Sequence, residues 1–62
     1  MITSAAAANL IRVARSVGLC CGAMAAFLRH RGLDLPVPLW QMDYNQYRAA
    51  LAFLREREMD DV

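Results

Sequence analysis

Four arginines supply the chemistry of the first half of this chain. Arg12, Arg15, Arg29 and Arg31 are the only Lys, Arg, Asp or Glu among residues 1–33. Guanidiniums with no acid among them suit a polyanion such as nucleic acid, to which they would donate along the phosphates. The same four side chains also read as the solvated faces of two helices. Residues 34–62 carry Asp34, Asp43, Glu56, Glu58, Asp60 and Asp61 against Arg48, Arg55 and Arg57, so the net charge of +1 divides into a basic front and an acidic back. The remaining reactive groups are few. Cys20 and Cys21 are chain neighbours with no third cysteine to pair with, which excludes a disulfide framework. His30 lies too far along to complete a zinc-ligand spacing with them, and three ligands make a poor structural site. No metal and no cofactor are expected, and both thiols read as reduced, in a cytoplasmic protein. His30 sits between two arginines, which suits a helix-end residue better than a general base. With no nucleophile–base motif, no paired carboxylates on one face and no glycine-rich phosphate loop, the chain does not read as an enzyme.

The elements that must hold these side chains are helical. Leu10, Val13, Ala14 and Val17 recur at i, i+3, i+4 and i+7, making one apolar stripe. Thr3 or Ser4 caps its start and four alanines favour helix before it. This predicts a first helix over about 4–17, ending at a tight corner, Val17-Gly18-Leu19, where Gly18 supplies a positive φ. A second helix is expected over about 20–31. Arg29, His30 and Arg31 suit its negative end, Gly32 its C-cap, and Leu33 the Schellman contact back onto Leu28. Cys20 stands where a Ser or Thr cap would be preferred. Pro36 and Pro38 exclude a continuous helix through a connector over 32–42, and Leu35, Val37, Leu39 and Trp40 are apolar enough to lie across the helices as core. A proline-rich recognition peptide is the sharper but weaker reading of that segment. Asp43 with Gln46 forms a capping box, and Met42 with Tyr47 a hydrophobic staple. They open a third helix over about 43–58, with a frayed tail at 59–62. The apolar arc of that helix is wider than one neighbour requires, which marks Tyr44, Tyr47, Leu51, Phe53 and Leu54 as candidates for a partner or dimer interface.

The fold class is therefore all-α, one small three-helix domain. Of 62 residues, 11 are Ala and bury little area each, so the core rests on eight Leu and a few larger apolar side chains. A domain of this size buries only about 60% of its unfolded surface, which favours a partner or a second copy. The uncharged run Ser16 to Leu28 is 13 residues. That is too short for the ~20 a membrane crossing needs, and Arg15 and Arg29 bracket it. An organellar presequence fits the acid-free start less well, because the apolar pattern continues unbroken into the domain.

Val13-Ala14, Gly18 four residues after Ala14, Leu19, Met24 and Leu28 follow a pattern that resembles the helix-turn-helix headpieces of small bacterial and phage repressors, of the LacI-like and Cro-like type. The resemblance spans residues 10–58. It implies a helix-turn-helix formed by the first two helices, a second helix presented to the major groove of double-stranded DNA, and a cytoplasmic regulator of transcription acting as a homodimer. It further implies that Cys20, Cys21, Gly22, Ala25 and Ala26 face the groove floor. None of these can make the bidentate contacts by which Arg, Asn or Gln distinguish bases. The expected DNA contacts are therefore Arg12, Arg15, Arg29 and Arg31 on phosphates, with Cys21, Gly22 and Ala25 approaching the groove. The same small surface also suits a larger protein partner, so a helical interaction module that modulates another protein is the alternative.

Overall fold

The first helix is the element on which the others rest. In the computed structural model, which describes residues 1–60, α1 runs Ser4–Ser16 and touches α2 (Cys21–His30), a single 3₁₀ turn (Leu39–Gln41) and α3 (Tyr44–Asp60). No strand occurs among the described residues. Leu10 and Ala14, on the stripe read from the sequence, are fully buried or nearly so, and Val17 and Leu19 close the core below them. Thr3 caps α1 through its hydroxyl, which accepts from the Ala6 N–H at 3.1 Å. The α1 N-terminus is also tied to the far side of the domain, since the Ile2 N–H donates to the Met42 carbonyl at 3.0 Å.

Two copies of one device end the first two helices. In Ala14-Arg-Ser-Val-Gly18-Leu19, the Leu19 N–H reaches the Ala14 carbonyl at 2.9 Å and the Gly18 N–H the Arg15 carbonyl at 3.0 Å. In Leu28-Arg-His-Arg-Gly32-Leu33, the Leu33 N–H reaches Leu28 at 2.9 Å and the Gly32 N–H reaches Arg29 at 3.0 Å. Both glycines take the left-handed conformation, φ +82° and +83°. These are paired Schellman closures, in which the glycine turns the chain and the following leucine folds back onto the helix it has just left. The chain thus breaks at Gly18 instead of continuing as one rod, and α2 begins after an extended Cys20.

The capping box expected at the start of α3 is present in both directions. The Gln46 N–H donates to Asp43 Oδ1 at 2.8 Å and the Asp43 N–H to Gln46 Oε1 at 3.1 Å. Met42, on one side of the staple, is fully buried. The third helix extends further than expected, through Met59 and Asp60, so the tail placed at 59–62 is helical over its first half; Asp61 and Val62 lie outside the described residues.

The connector is two-faced rather than wholly inward. Leu35 and Leu39 pack on the core, but Val37 is 93% exposed and Trp40 56% exposed. Leu35, Val37, Leu39 and Trp40 are interrupted by Pro36 and Pro38 and follow no helical or strand period that would turn all four to one surface, and Val37 and Trp40 turn outward. No helix among the described residues is long and apolar enough to cross a membrane.

Candidate nucleic-acid interface

Packing decides which side of α2 faces outward. Met24 and Leu28 are buried and Phe27 half-buried, which fixes the inner face. Gly22, Ala26 and Arg29, at i, i+4 and i+7, are all exposed and share the outer face, with exposed His30 beside Arg29. Ala26, Arg29 and His30 line a shallow, open recess near the helix end. Of the two alanines expected outward, Ala26 is exposed and Ala25 is half-buried. Cys21 begins α2, but its side chain is outside the described set. Cys20 is exposed as a free thiol and caps α2 through backbone geometry alone, without a side-chain hydrogen bond.

The four arginines fall into two environments. Arg12 and Arg15 stand exposed on α1, and Arg12 donates through Nη2 to Asn9 Oδ1. Asn9 in turn donates to the Tyr47 hydroxyl at 3.0 Å, which ties this face of α1 to α3. Arg29 and Arg31 instead meet carboxylates from the acidic half. Arg29 lies 3.4 Å from Asp34 and Arg31 lies 3.5 Å from Glu56. These pairs are largely solvent-exposed, so each contributes about 0–1 kcal/mol and yields to salt or to a better anion. Their effect on the field is larger than their effect on stability, because they cancel half of the charge that the sequence places in the front of the chain.

Arg57 escaped the reading of the sequence. Its Nε donates to the Val17 carbonyl at 3.1 Å, and its guanidinium lies 5.6 Å from the Phe27 ring centroid, with Arg31 at 4.8 Å from the same ring. The side chain therefore joins the end of α3 to the corner between α1 and α2. Its separation of 40 residues from Val17 leaves no local pattern by which it could be found.

The interface expected on α3 is mostly internal. Leu54 is fully buried and belongs to the core of the single chain, which corrects its assignment to a surface. Tyr47, Leu51 and Phe53 are half-buried and pack against that same core. The wide apolar arc of α3 is spent on the shared core, chiefly against α1. Tyr44 alone of the five remains exposed, at 48%, and it meets Tyr47 edge-on at 6.2 Å between ring centroids. The large exposed apolar side chains lie elsewhere, at Met1, Val37, Trp40 and Met59.

Compared with known proteins, this chain matches no family model, no curated protein and no solved structure.

Proposed function

We propose that this chain is a small helix-turn-helix regulator that binds duplex DNA mainly through its phosphates. One observation carries the reading. Ala14, Val17, Leu19 and Met24 are buried with Val13 and Phe27 packed beside them, so the corner at Gly18 holds α2 against α1 while Gly22, Ala26 and Arg29 stay uncovered. Small residues on an exposed helix face permit close approach to a groove, and Arg12, Arg15, Arg29 and Arg31 are the cations proposed to contact phosphates. Selectivity would come from groove shape and thymine methyl groups, with Arg29 the one side chain on that face able to contact a base edge bidentately.

Fluorescence anisotropy on a random-sequence duplex across a salt series tests this directly. Each phosphate contact contributes about −0.9 to the slope of log K against log salt. Binding at 50 mM salt that weakens steeply, and whose slope flattens by about 2 in an Arg12→Ala, Arg15→Ala protein, supports the reading. Absence of binding at low salt, or a slope indifferent to those substitutions, removes it.

A second reading, a helical module that binds another protein, is favoured by a separate observation: Val37 and Trp40 stand 93% and 56% exposed on the connector.

A further inference from the structure

We infer that Arg57 is a positioning residue: it fixes the angle at which α2 leaves α1, and so governs how the α2 face meets a duplex, without touching the duplex itself. This deepens the DNA reading above and rests on it. The Schellman bonds at the corner run among Ala14, Arg15, Gly18 and Leu19, so they set where α1 ends. The direction in which α2 departs after the extended Cys20 is set by what α2 packs on. Met24 and Leu28 are buried, and Phe27, half-buried beside them, meets the guanidinium of Arg57 at 5.6 Å from its ring centroid. The last carbonyls of a helix have no partner within it. The Val17 carbonyl, at the α1 C-cap, takes one from the far end of the chain, since Arg57 Nε–H donates to it at 3.1 Å. One rigid planar group thereby holds the end of α1 by a charge-assisted hydrogen bond and α2 by the face of a ring.

Arg57 is placed to hold, whereas its neighbour on the same ring is placed to let go. Arg31 lies 4.8 Å from the Phe27 centroid, is exposed, and pairs with Glu56 at 3.5 Å, so salt or a phosphate draws it away at little cost. Arg57 is half-buried and its Nε is engaged in a part-buried contact. Its departure would strand the Val17 carbonyl. A phosphate is therefore met by the exposed arginines while Arg57 stays with the protein, and substituting it should change the fit of α2 without changing the number of phosphates neutralised.

Nuclear magnetic resonance tests the hold itself and needs no variant for its first step. In the wild-type protein the Arg57 Nε–H is expected to exchange with solvent about tenfold more slowly than those of the exposed Arg12, Arg15 and Arg55. Arg57→Gln is then expected to speed amide exchange at Leu19 and Leu28 about tenfold more than at Leu10 and Ala50, which are fully buried on α1 and α3. A merely structural role would raise all four alike through global unfolding. Duplex titration by fluorescence anisotropy supplies the functional readout. Arg57→Gln should weaken binding about threefold, as the competent orientation of α2 falls to about a third of the population, with the salt slope unchanged. Arg57→Lys keeps the charge but not the plane or the Nε donor, and should behave as Arg57→Gln does. An Arg57 Nε–H that exchanges as fast as those of the exposed arginines would overturn the assignment. So would uniform acceleration of all four amides, recovery by Arg57→Lys, or a slope flattened by about 1 in Arg57→Gln, which identifies a phosphate contact. The two readings fail separately. A wild-type protein that binds no duplex but shows the expected exchange pattern removes the DNA reading and upholds the hold of Arg57 on α2. One that binds duplex, with affinity and exchange both indifferent to Arg57→Gln, keeps the DNA reading and removes the positioning role.

Discussion

Three glycine-to-alanine substitutions, chemically identical, should change stability with different signs. At Gly18 and Gly32 the backbone is left-handed, φ +82° and +83°, whereas Gly22 lies inside α2. A Cβ built at any of the three meets nothing within 4 Å. Steric clash with neighbours therefore drops out, leaving only the intrinsic preference of the backbone. An L-residue forced into the left-handed region loses about 1–2 kcal/mol, partly offset by about 0.4–1 kcal/mol from the stiffer unfolded chain. The net expectation for Gly18→Ala or Gly32→Ala is a loss of about 1 kcal/mol. Gly22→Ala gains instead, by about 0.5 kcal/mol, since the position is near the helix start and recovers only part of the interior difference of about 1 kcal/mol. For a domain of this length 1 kcal/mol moves Tm by about 4–8 °C, well within the reach of thermal unfolding followed by circular dichroism. Gly18→Asn should fall between wild type and Gly18→Ala, because asparagine tolerates the left-handed conformation. A Gly18→Ala protein that melts at or above the wild-type temperature would refute the Schellman corner, and one in which Gly22→Ala melts lower would refute the placement of the α2 start.

Two further outcomes follow from the caps and the core. Cys20 has the extended backbone of an N-cap, φ −75° and ψ 173°, but its side chain makes no cap bond, whereas Thr3 does; Cys20→Ser should stabilise and Thr3→Ala destabilise, each by about 0.5–1 kcal/mol. Calorimetry of Cys20→Ser against Cys20→Ala checks this, and equal stabilities would contradict it. Leu54→Ala should cost about 2–5 kcal/mol, a large share of what so small a domain has, while Tyr44→Ala should cost under about 1 kcal/mol. Urea unfolding of the two proteins separates a core position from a surface one, and comparable losses would show that α3 is rotated from the orientation described.

What could be read from the sequence was what local chemistry determines. Gly18 and Gly32 declare helix ends because few other residues take a positive φ, and Asp43 with Gln46 declares a start because the cap needs an acceptor and an amide three residues apart. Of the positions expected on the outward face of α2, Gly22 and Ala26 are exposed and Ala25 is half-buried, since a period of 3.6 leaves neighbouring positions nearly equivalent at the edge of a face. Sidedness failed where periodicity is absent. Across Pro36 to Trp40 neither a period of two nor one of 3.6 operates, so nothing marked Val37 and Trp40 as outward. Long-range partners failed for a different reason: Arg57 on the Val17 carbonyl and Glu56 on Arg31 depend on how α3 crosses the corner, which no spacing encodes. Leu54 was misjudged because an amphipathic arc reports how much surface is buried and not by which neighbour.

The folded chain brings its two charge halves together, and that changes what the basic half can do. As a sequence, residues 1–33 offer four uncompensated arginines; as a structure, Asp34 and Glu56 return to Arg29 and Arg31. A phosphate approaching α2 must displace a carboxylate, while one approaching α1 meets Arg12 and Arg15 with no such competitor among the described contacts. If the pairs hold, about two phosphates are neutralised and the salt slope is near −2; if they yield, about four are and the slope approaches −4. Between 50 and 200 mM salt the first case loses about tenfold in affinity and the second about a hundredfold. Asp34→Asn with Glu56→Gln removes the competition and raises the net charge by two, so it should raise affinity at low salt and steepen the slope towards the larger value. If the wild-type slope is already near −4 and the double substitution leaves it there, the acidic half has no hold on the arginines in solution, and the division of labour between α1 and α2 proposed here is wrong.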